Sequence, residues 1–428
     1  MRLLTKLLMK GGGAVSPLRF ASPQNYVQTG GVVAASTTYL NVRTRMPFYV
    51  GSGDLSQIVL AFCGFNLNGG NINFNGNDYT IVKCAIERDG VAAYTPVYFG
   101  GSRSVTVTNG IAEVLSDAVL PAAFSLANFA RGTKLWIRLE YSVASTGQQL
   151  PVGPLPYSQW TGAVGLTLTS GAVVDPVDGT GTMTFTSGFS NFSSPYVPMV
   201  LGRFVSGDQK TIIGIGDSII YGASDTLSGY GLRSGFTQAL VDADHVSNPI
   251  AGANFGYSGS TAALWTGANS DRLVNYLKYA KYAVDEYQTN RLAANGNLAS
   301  AKTQVESLWA LCATAGITQV LRQKLNPRST GTDGTLPYST SFASGGDARL
   351  FNDWLDTGGL GTAQGVTLTI LQMNALRAGT NQATDAFYQW SGATSGNLGT
   401  LTGDGTHPNT AGNAAQAADF RTAFAALP

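Results

Sequence analysis

The sequence predicts two domains of different class: an all-β sandwich or jelly roll over residues 21–200, preceded by an N-terminal tail of residues 1–20, and a doubly wound α/β sheet over residues 206–428. Three observations carry that division. The composition is turn-rich and poor in charge: Asp, Glu, Lys and Arg make up 12% of the 428 residues, about half the roughly 25% of an average soluble domain, and the 53 glycines exceed the usual ~7%. Short extended segments punctuated by turn residues fill the first half, with no convincing helix before residue 205. Beyond that point strand-like and helix-like segments alternate, which is the signature of a parallel sheet covered by helices.

In the first half the extended segments are Gln57–Phe62, Asp78–Ile86, Ser104–Val107, Lys134–Val143, Ala163–Leu168 and Gly181–Thr186. Polar residues alternate through the middle of Lys134–Val143, the period-2 mark of a half-buried strand. Asn191–Arg203, with Pro195 and Pro198, reads as a linker. Thr211–Gly216 is a short apolar run ending in glycine, as expected of a buried parallel strand. Helical spacing follows over Leu273–Tyr282, Ala299–Ala315 and Asp347–Leu355, interleaved with extended Ala283–Tyr287, Ile317–Leu325 and Gly365–Met373. A last helix is expected over Asn413–Leu427. In such sheets ligands bind beyond the carboxyl ends of the strands.

The net charge of +1 divides into about +4 over residues 1–205 and −3 over 206–428, with basic residues scattered, so no nucleic-acid partner is expected. The three cysteines, Cys63, Cys84 and Cys312, form no C-x-x-C pair. Cys63 and Cys84 could bond in an oxidising compartment or could be two small buried residues. No run reaches the ~18 apolar residues of a membrane span. Met1–Lys10 begins like a signal peptide, but Lys6 interrupts it and Gly11–Gly13 follow. The low-charge, glycine-rich composition sets the expectation of an extracellular or virion-associated protein.

Two segments carry chemistry. Ile215-Gly216-Asp217-Ser218-Ile219 falls where the first α/β strand should end, which lifts a serine hydroxyl over the sheet edge. Gly403-Asp404-Gly405-Thr406-His407-Pro408-Asn409 places a carboxylate and an imidazole three residues apart just before the last helix. Asp404 can then hold His407 in the tautomer that takes a proton from a serine. The chain has two histidines, His245 and His407, so a histidine base is nearly forced to be the second. An unassisted serine is a poor nucleophile and needs such a base within reach. A dinucleotide site is not expected, because after Gly214 and Gly216 the third glycine would fall at Ile219. Nor is a metal, since neither an H-E-x-x-H motif nor a Cys/His cluster is present.

At these residues the sequence resembles the SGNH (GDSL-type) hydrolase superfamily, whose sheet is flavodoxin-like, over most of residues 210–428. Gly216-Asp217-Ser218 matches its first block and Asp404 to His407, with Pro408, its last. Asn254–Ser260 looks like the second block, with the oxyanion glycine at Gly259 rather than Gly256. The third, Gly-x-Asn-Asp, is matched by Gln288-Thr289-Asn290-Arg291, which keeps the asparagine and replaces both the glycine and the final acid. The resemblance implies a triad of Ser218, Asp404 and His407 and an oxyanion hole built from the Ser218 and Gly259 N–H groups and the Asn290 amide. Asp217 is expected to brace the loop, and Arg291 to be a solvated surface charge, with contact to substrate as the alternative. The G-x-S-x-G elbow of the α/β-hydrolases is absent at Ser218. The implied activity is a serine esterase removing O-acetyl groups from an acetylated poly- or oligosaccharide. A short-chain carboxylesterase, or a glycan-binding phage tail or adhesin protein, are the alternatives. Tyr221, Tyr230, Tyr257, Trp265 and Tyr287 are the aromatics that could stack on a sugar or belong to the core.

Overall fold

The computed structural model describes residues 16–27, 32–35, 40–68, 71–74, 76–153, 161, 163–168, 177–183, 189–191, 195–226, 233–241, 248–358, 360 and 362–428. His245 and Tyr230 lie outside them.

The second half is organised by one sheet. Its strands in chain order are β1 (Asn25–Tyr26), β2 (Thr211–Gly216), β3 (Ala251–Gly256), β4 (Tyr282–Asp285), β5 (Gln319–Gln323), β6 (Thr362–Ala363) and β7 (Val366–Leu371), and their spatial order is β1-β3-β2-β4-β5-β7-β6. All pairs are parallel except β6 on β7. Leaving aside the edge strands β1 and β6, the order is the flavodoxin-like 2-1-3-4-5, in which the connection reverses direction beside the first strand. That switch point lies between β2 and β4. Every residue of β2, β3 and β4 is buried, so these strands read as continuous runs without polar alternation. The helices are α1 (Ser218–Tyr221), α2 (Gly235–Ala239), α3 (Ser270–Leu277), α4 (Leu298–Thr314), α5 (Asp347–Thr357) and α6 (Thr410–Ala426).

α3 ends five residues before the sequence pattern suggests. Arg19 takes the carbonyls of Lys278 and Ala280 at 2.7 and 2.9 Å, and the Phe20 N–H takes that of Tyr279 at 3.0 Å. Those carbonyls are drawn out of the helical ladder by a segment far away in the chain.

The first half consists of antiparallel sheets. One has the order Arg19–Phe20, Met199–Phe204, Leu55–Phe62, Val114–Leu115. A second runs Val105–Val107, Tyr79–Arg88, Lys134–Ser142, Asn41–Tyr49, Val164–Leu168, Phe189–Asn191, with Tyr94–Val97 also on Tyr79–Arg88. Rings from the two meet: Phe62 lies 6.2 Å from Tyr196, and Tyr196 packs edge-on to Tyr79 and Tyr141 at 5.9 and 6.2 Å. Among the described residues the first half has one short helical turn, Pro121–Phe124. Cys63, Cys84 and Cys312 are each buried as thiols, and no disulfide joins them.

Three expectations are corrected. Residues 181–183 of the expected Gly181–Thr186 strand join no ladder, and 184–186 lie outside the described residues. The supposed linker Asn191–Arg203 contains most of a strand, Met199–Phe204, that pairs with both Arg19–Phe20 and Leu55–Phe62. Pairing crosses the expected boundaries as well: Arg19–Phe20 of the tail lies on Met199–Phe204, and Asn25–Tyr26 joins the parallel sheet at Ala253 and Asn254. The Asn25 side chain fixes that crossing: its amide donates to the carbonyls of Ser22 and Gly252 at 2.9 and 3.0 Å, and its oxygen accepts from Val200 N at 2.6 Å.

The alternation in Lys134–Ser142 also has a different meaning from the half-buried strand expected. Both faces are covered, with Arg138 1% and Glu140 5% exposed. Glu87 Oε2 receives Arg138 Nη1 at 2.6 Å and Arg45 Nε at 2.9 Å, while Glu140 receives Arg43 Nε at 2.8 Å. The Gly181 N–H closes over Glu87 Oε1 at 2.7 Å, and the Arg45 guanidinium lies 3.4 Å over the Trp136 ring. Burial works to raise the Glu87 pKa, but the bonds from Arg45, Gly181 and Arg138 hold it below the usual carboxylate range. Glu87→Ala would leave two buried guanidinium groups without their shared counter-charge. It should lower the urea unfolding free energy by roughly 3–5 kcal/mol, whereas a loss below about 1 kcal/mol would show that the cluster behaves as a solvated surface network.

Candidate active site

The end of β2 sets the site. Asp217 is the N-cap of α1, its Oδ1 accepting from Ile219 N at 3.1 Å, and Ser218 opens the helix with only 4% of its surface exposed. Gly216 must be glycine, because a Cβ there would come within 2.5 Å of Ile220 and 2.7 Å of Glu286 Oε2. That tight approach lets a buried carboxyl stand directly under the serine turn.

The loop before α6 supplies the partners. Asp404 Oδ1 accepts from the N–H groups of Thr406 and His407 at 2.8 and 2.7 Å, so one oxygen shapes the turn. The other oxygen meets His407 Nδ1 at 2.6 Å. His407 Nε2 then faces Ser218 Oγ at 2.9 Å. An ionised carboxylate accepts only, so Nδ1 carries the hydrogen and Nε2 is left to accept from the hydroxyl. Burial pushes the Asp404 pKa upward, but the backbone and ring bonds from His407 and the Thr406 N–H outweigh it and keep the pKa below its ordinary value. Asn409 caps α6 through Gly412 N at 3.1 Å, and Trp390 Nε1 donates to Gly405 O at 3.0 Å, which pins the loop from both ends.

The other sequence-derived residues are brought to the same sheet edge. Gly256 ends β3 against α1, where a Cβ would lie 2.3 Å from Tyr221 N, so it is a packing glycine. Gly259 has φ +78° with nothing within 4 Å of a built Cβ, so it faces open space. Asn290 is held by two bonds, Nδ2 to Asp217 Oδ2 at 3.2 Å and to Ser260 O at 3.1 Å. Both amide hydrogens are therefore engaged, and two backbone N–H groups, those of Ser218 and Gly259, stand as the donors not committed elsewhere among the described residues. Arg291 donates to Ser300 Oγ at 2.9 Å and is half-buried, not a free surface charge. Trp265 and Tyr287 are fully buried core residues, and Tyr221 is half-buried with the Arg233 guanidinium 4.7 Å from its ring.

Two residues were missed. Glu286 is buried beside Asp217, its Oε2 accepting from Asp217 N at 3.1 Å and its Oε1 from Thr289 Oγ1 at 3.4 Å. Burial, and then the charge of Asp217, raise the Glu286 pKa well above the usual range, and its carboxyl hydrogen-bonds that of Asp217. Of the two, Glu286 is the carboxyl pushed further toward its neutral form. Its signal was two consecutive acids, Asp285-Glu286, closing an apolar strand, and Asp285 is spent on Arg322 at 2.9 Å and Trp309 at 2.9 Å. Arg328 joins the third block to the last, donating to Thr289 O at 3.1 Å and Thr406 Oγ1 at 3.3 Å. Nothing in the local sequence marks it.

No protein-family model matches the sequence, and no curated protein matches it. Solved structures do. Several of the similar structures carry the names esterase, lipase or acylhydrolase. Among them are a carbohydrate esterase family 3 protein from Talaromyces cellulolyticus (15% identity, 51% of this chain and 100% of that one, TM-score 0.33) and an acetylxylan esterase from Geobacillus stearothermophilus (14%, 51% and 95%, 0.34). A GDSL-like lipase from Bacteroides thetaiotaomicron is similar too (16%, 50% and 88%, 0.33).

The Glu286 proton has a measurable consequence. Unfolded, this group ionises above roughly pH 4.3, whereas the folded chain keeps it neutral to higher pH, so wild type loses stability as pH rises through the unfolded value. Glu286→Gln carries no such proton. Its urea midpoint should therefore gain on wild type between pH 4 and pH 8, and a constant gap between the two proteins would mean that Glu286 is ionised in the fold.

Proposed function

We propose that this protein is a serine esterase of the SGNH type that removes O-acetyl groups from carbohydrate. The observation that carries the reading is the unbroken relay from Ser218 Oγ to His407 Nε2 at 2.9 Å and from His407 Nδ1 to Asp404 Oδ2 at 2.6 Å, mounted at the switch point of the sheet. A seryl hydroxyl on a neutral imidazole oriented by a carboxylate is equipped for acyl transfer.

In the reaction, Ser218 Oγ attacks the ester carbonyl carbon as His407 Nε2 takes its proton. The carbonyl oxygen becomes an oxyanion facing the N–H groups of Ser218 and Gly259. Asn290 adds a third donor by sharing the hydrogen it otherwise gives to Ser260. Preorganised donors of this kind are worth roughly 10²–10³ in rate each. Collapse of the tetrahedral intermediate expels the sugar oxygen, which leaves as an alcohol with the proton from His407. Water, deprotonated by His407, then attacks acyl-Ser218, and the same donors serve again as the acid is released. Asp404 stays ionised throughout and stabilises the imidazolium.

Hydrolysis of p-nitrophenyl acetate at mildly alkaline pH tests the reading. Wild type should turn over, Ser218→Ala should fall to background, and Asp404→Asn should lose about 10⁴ in kcat because the imidazole is left in the wrong tautomer. Equal rates for wild type and Ser218→Ala would remove Ser218 as the nucleophile.

A further inference from the structure

One exposed aromatic residue tied to the loops of the site is Tyr338, which the sequence did not single out. Tyr338 is 44% exposed, although it stands at the root of a hairpin-like excursion that is firmly anchored. Tyr338 N donates to Arg328 O at 3.0 Å, Thr330 N to Leu336 O at 3.1 Å, and Ser329 bridges Pro337. Asp333 at the tip is fixed by Thr335 N at 2.9 Å and by Gly396 N at 2.9 Å.

Both sides of this excursion touch catalytic loops. Ser329 N donates to Gly405 O at 2.8 Å, between Asp404 and His407. Ser339 Oγ donates to Ala293 O at 2.7 Å, on the turn that follows Asn290. Arg328, 8% exposed, bonds to both Thr289 and Thr406, and its guanidinium carbon lies 3.7 Å from the centroid of the Tyr338 ring. One face of the ring is thus covered by a buried cation held by the triad loop and the asparagine loop, and the Phe342 ring stands perpendicular to it with centroids 6.4 Å apart. A tyrosine so stacked has lost its rotamer freedom before any ligand arrives, so a second stacking partner adds contact at little further ordering cost.

We propose that Tyr338 is a specificity-determining residue: its free face forms a subsite that stacks against a pyranose ring of the O-acetylated glycan while the acetyl group occupies the Ser218 site. This rests on the esterase reading and deepens it. An aromatic platform binds a pyranose through the apolar C–H face of the ring, which is independent of the acyl group being cleaved. The subsite should accordingly act on KM for oligosaccharides far more than on KM for small esters.

Kinetics of wild type, Tyr338→Ala and Tyr338→Phe on p-nitrophenyl acetate and on O-acetylated xylo- and mannan-oligosaccharides read this directly. Tyr338→Ala should raise KM for an oligosaccharide about tenfold more than it raises KM for p-nitrophenyl acetate, with kcat on the oligosaccharide retained, and Tyr338→Phe should behave as wild type. Equal losses on both substrate types would make Tyr338 a structural support of the loops, and unchanged oligosaccharide KM would remove the subsite. Calorimetric binding of the same oligosaccharides to Ser218→Ala, with and without Tyr338→Ala, gives the result without turnover: a tenfold weaker Kd is expected, and equal Kd values or no binding overturn the subsite. If p-nitrophenyl acetate hydrolysis does not depend on Ser218, it is the esterase reading that fails, and the binding comparison still decides the subsite.

Discussion

The site depends on one buried carboxylate. Asp217 is completely shielded from solvent, and it caps α1 through Ile219, anchors the Asn290 amide through its other oxygen and hydrogen-bonds Glu286. Those bonds tie the serine turn to the asparagine loop. Burial raises its pKa, while the Ile219 N–H, the Glu286 hydroxyl and the charges of His407 and Arg328 act in the other direction. A lone carboxylate in that position would be very costly to bury. Burial and the charge of Asp217 push Glu286 toward its neutral form, in which it adds no second negative charge and can donate to Asp217. Gly216 is the geometric condition for the arrangement, since any side chain there would displace Glu286.

The antiparallel half is joined to this sheet by structure more than by a tether. Asn25 takes the carbonyls of Ser22 and Gly252 and the Val200 N–H, so one side chain satisfies polar backbone atoms of both sheets at their junction. Further along, Lys278 and Tyr279 meet Glu113 at 2.6 and 2.8 Å, and Arg131 takes the carbonyls of Asn248 and Pro249 at 2.6 and 3.0 Å. One hydrophobic core runs from Phe62 and Tyr141 through to Ile213 and Trp309. The halves therefore differ in class while sharing buried surface.

What the sequence disclosed was local. Gly216-Asp217-Ser218 could be read because the strand, the turn and the serine are contiguous, and Asp404 with His407 because three residues span one loop. Thr211–Gly216 was visible as an apolar run, since both of its faces are buried, whereas Ala251–Gly256, interrupted by Gly252 and Asn254, carries no such run and was not read as a strand. What stayed hidden depends on partners distant in the chain. The charged face of Lys134–Ser142 resembles a solvated one until Glu87, Arg45 and Gly181 are folded onto it. Arg328 and Tyr338 gain their meaning from Thr289 and Thr406. Asn25, in a two-residue strand, leaves no periodicity to detect.

Gln288 stands where the resemblance read from the sequence has a glycine, and its backbone takes a conformation that suits one. It occupies the glycine position with φ +107°, a conformation that disfavours any Cβ, and its side-chain amide is fully buried with neither polar atom bonded among the described residues. Such a residue persists only where its surroundings over-determine the backbone. Here Arg322 Nη2 holds the preceding carbonyl, Tyr287 O, at 2.6 Å, and Leu292 N holds Gln288 O at 2.9 Å. Arg322 is in turn fixed by Asp285 at 2.9 Å. The turn that presents Asn290 is thus imposed by a buried ion pair from two neighbouring strands instead of being granted by glycine. The replacement of glycine at this position therefore does not displace Asn290, whose bonds to Asp217 and Ser260 remain at 3.2 and 3.1 Å.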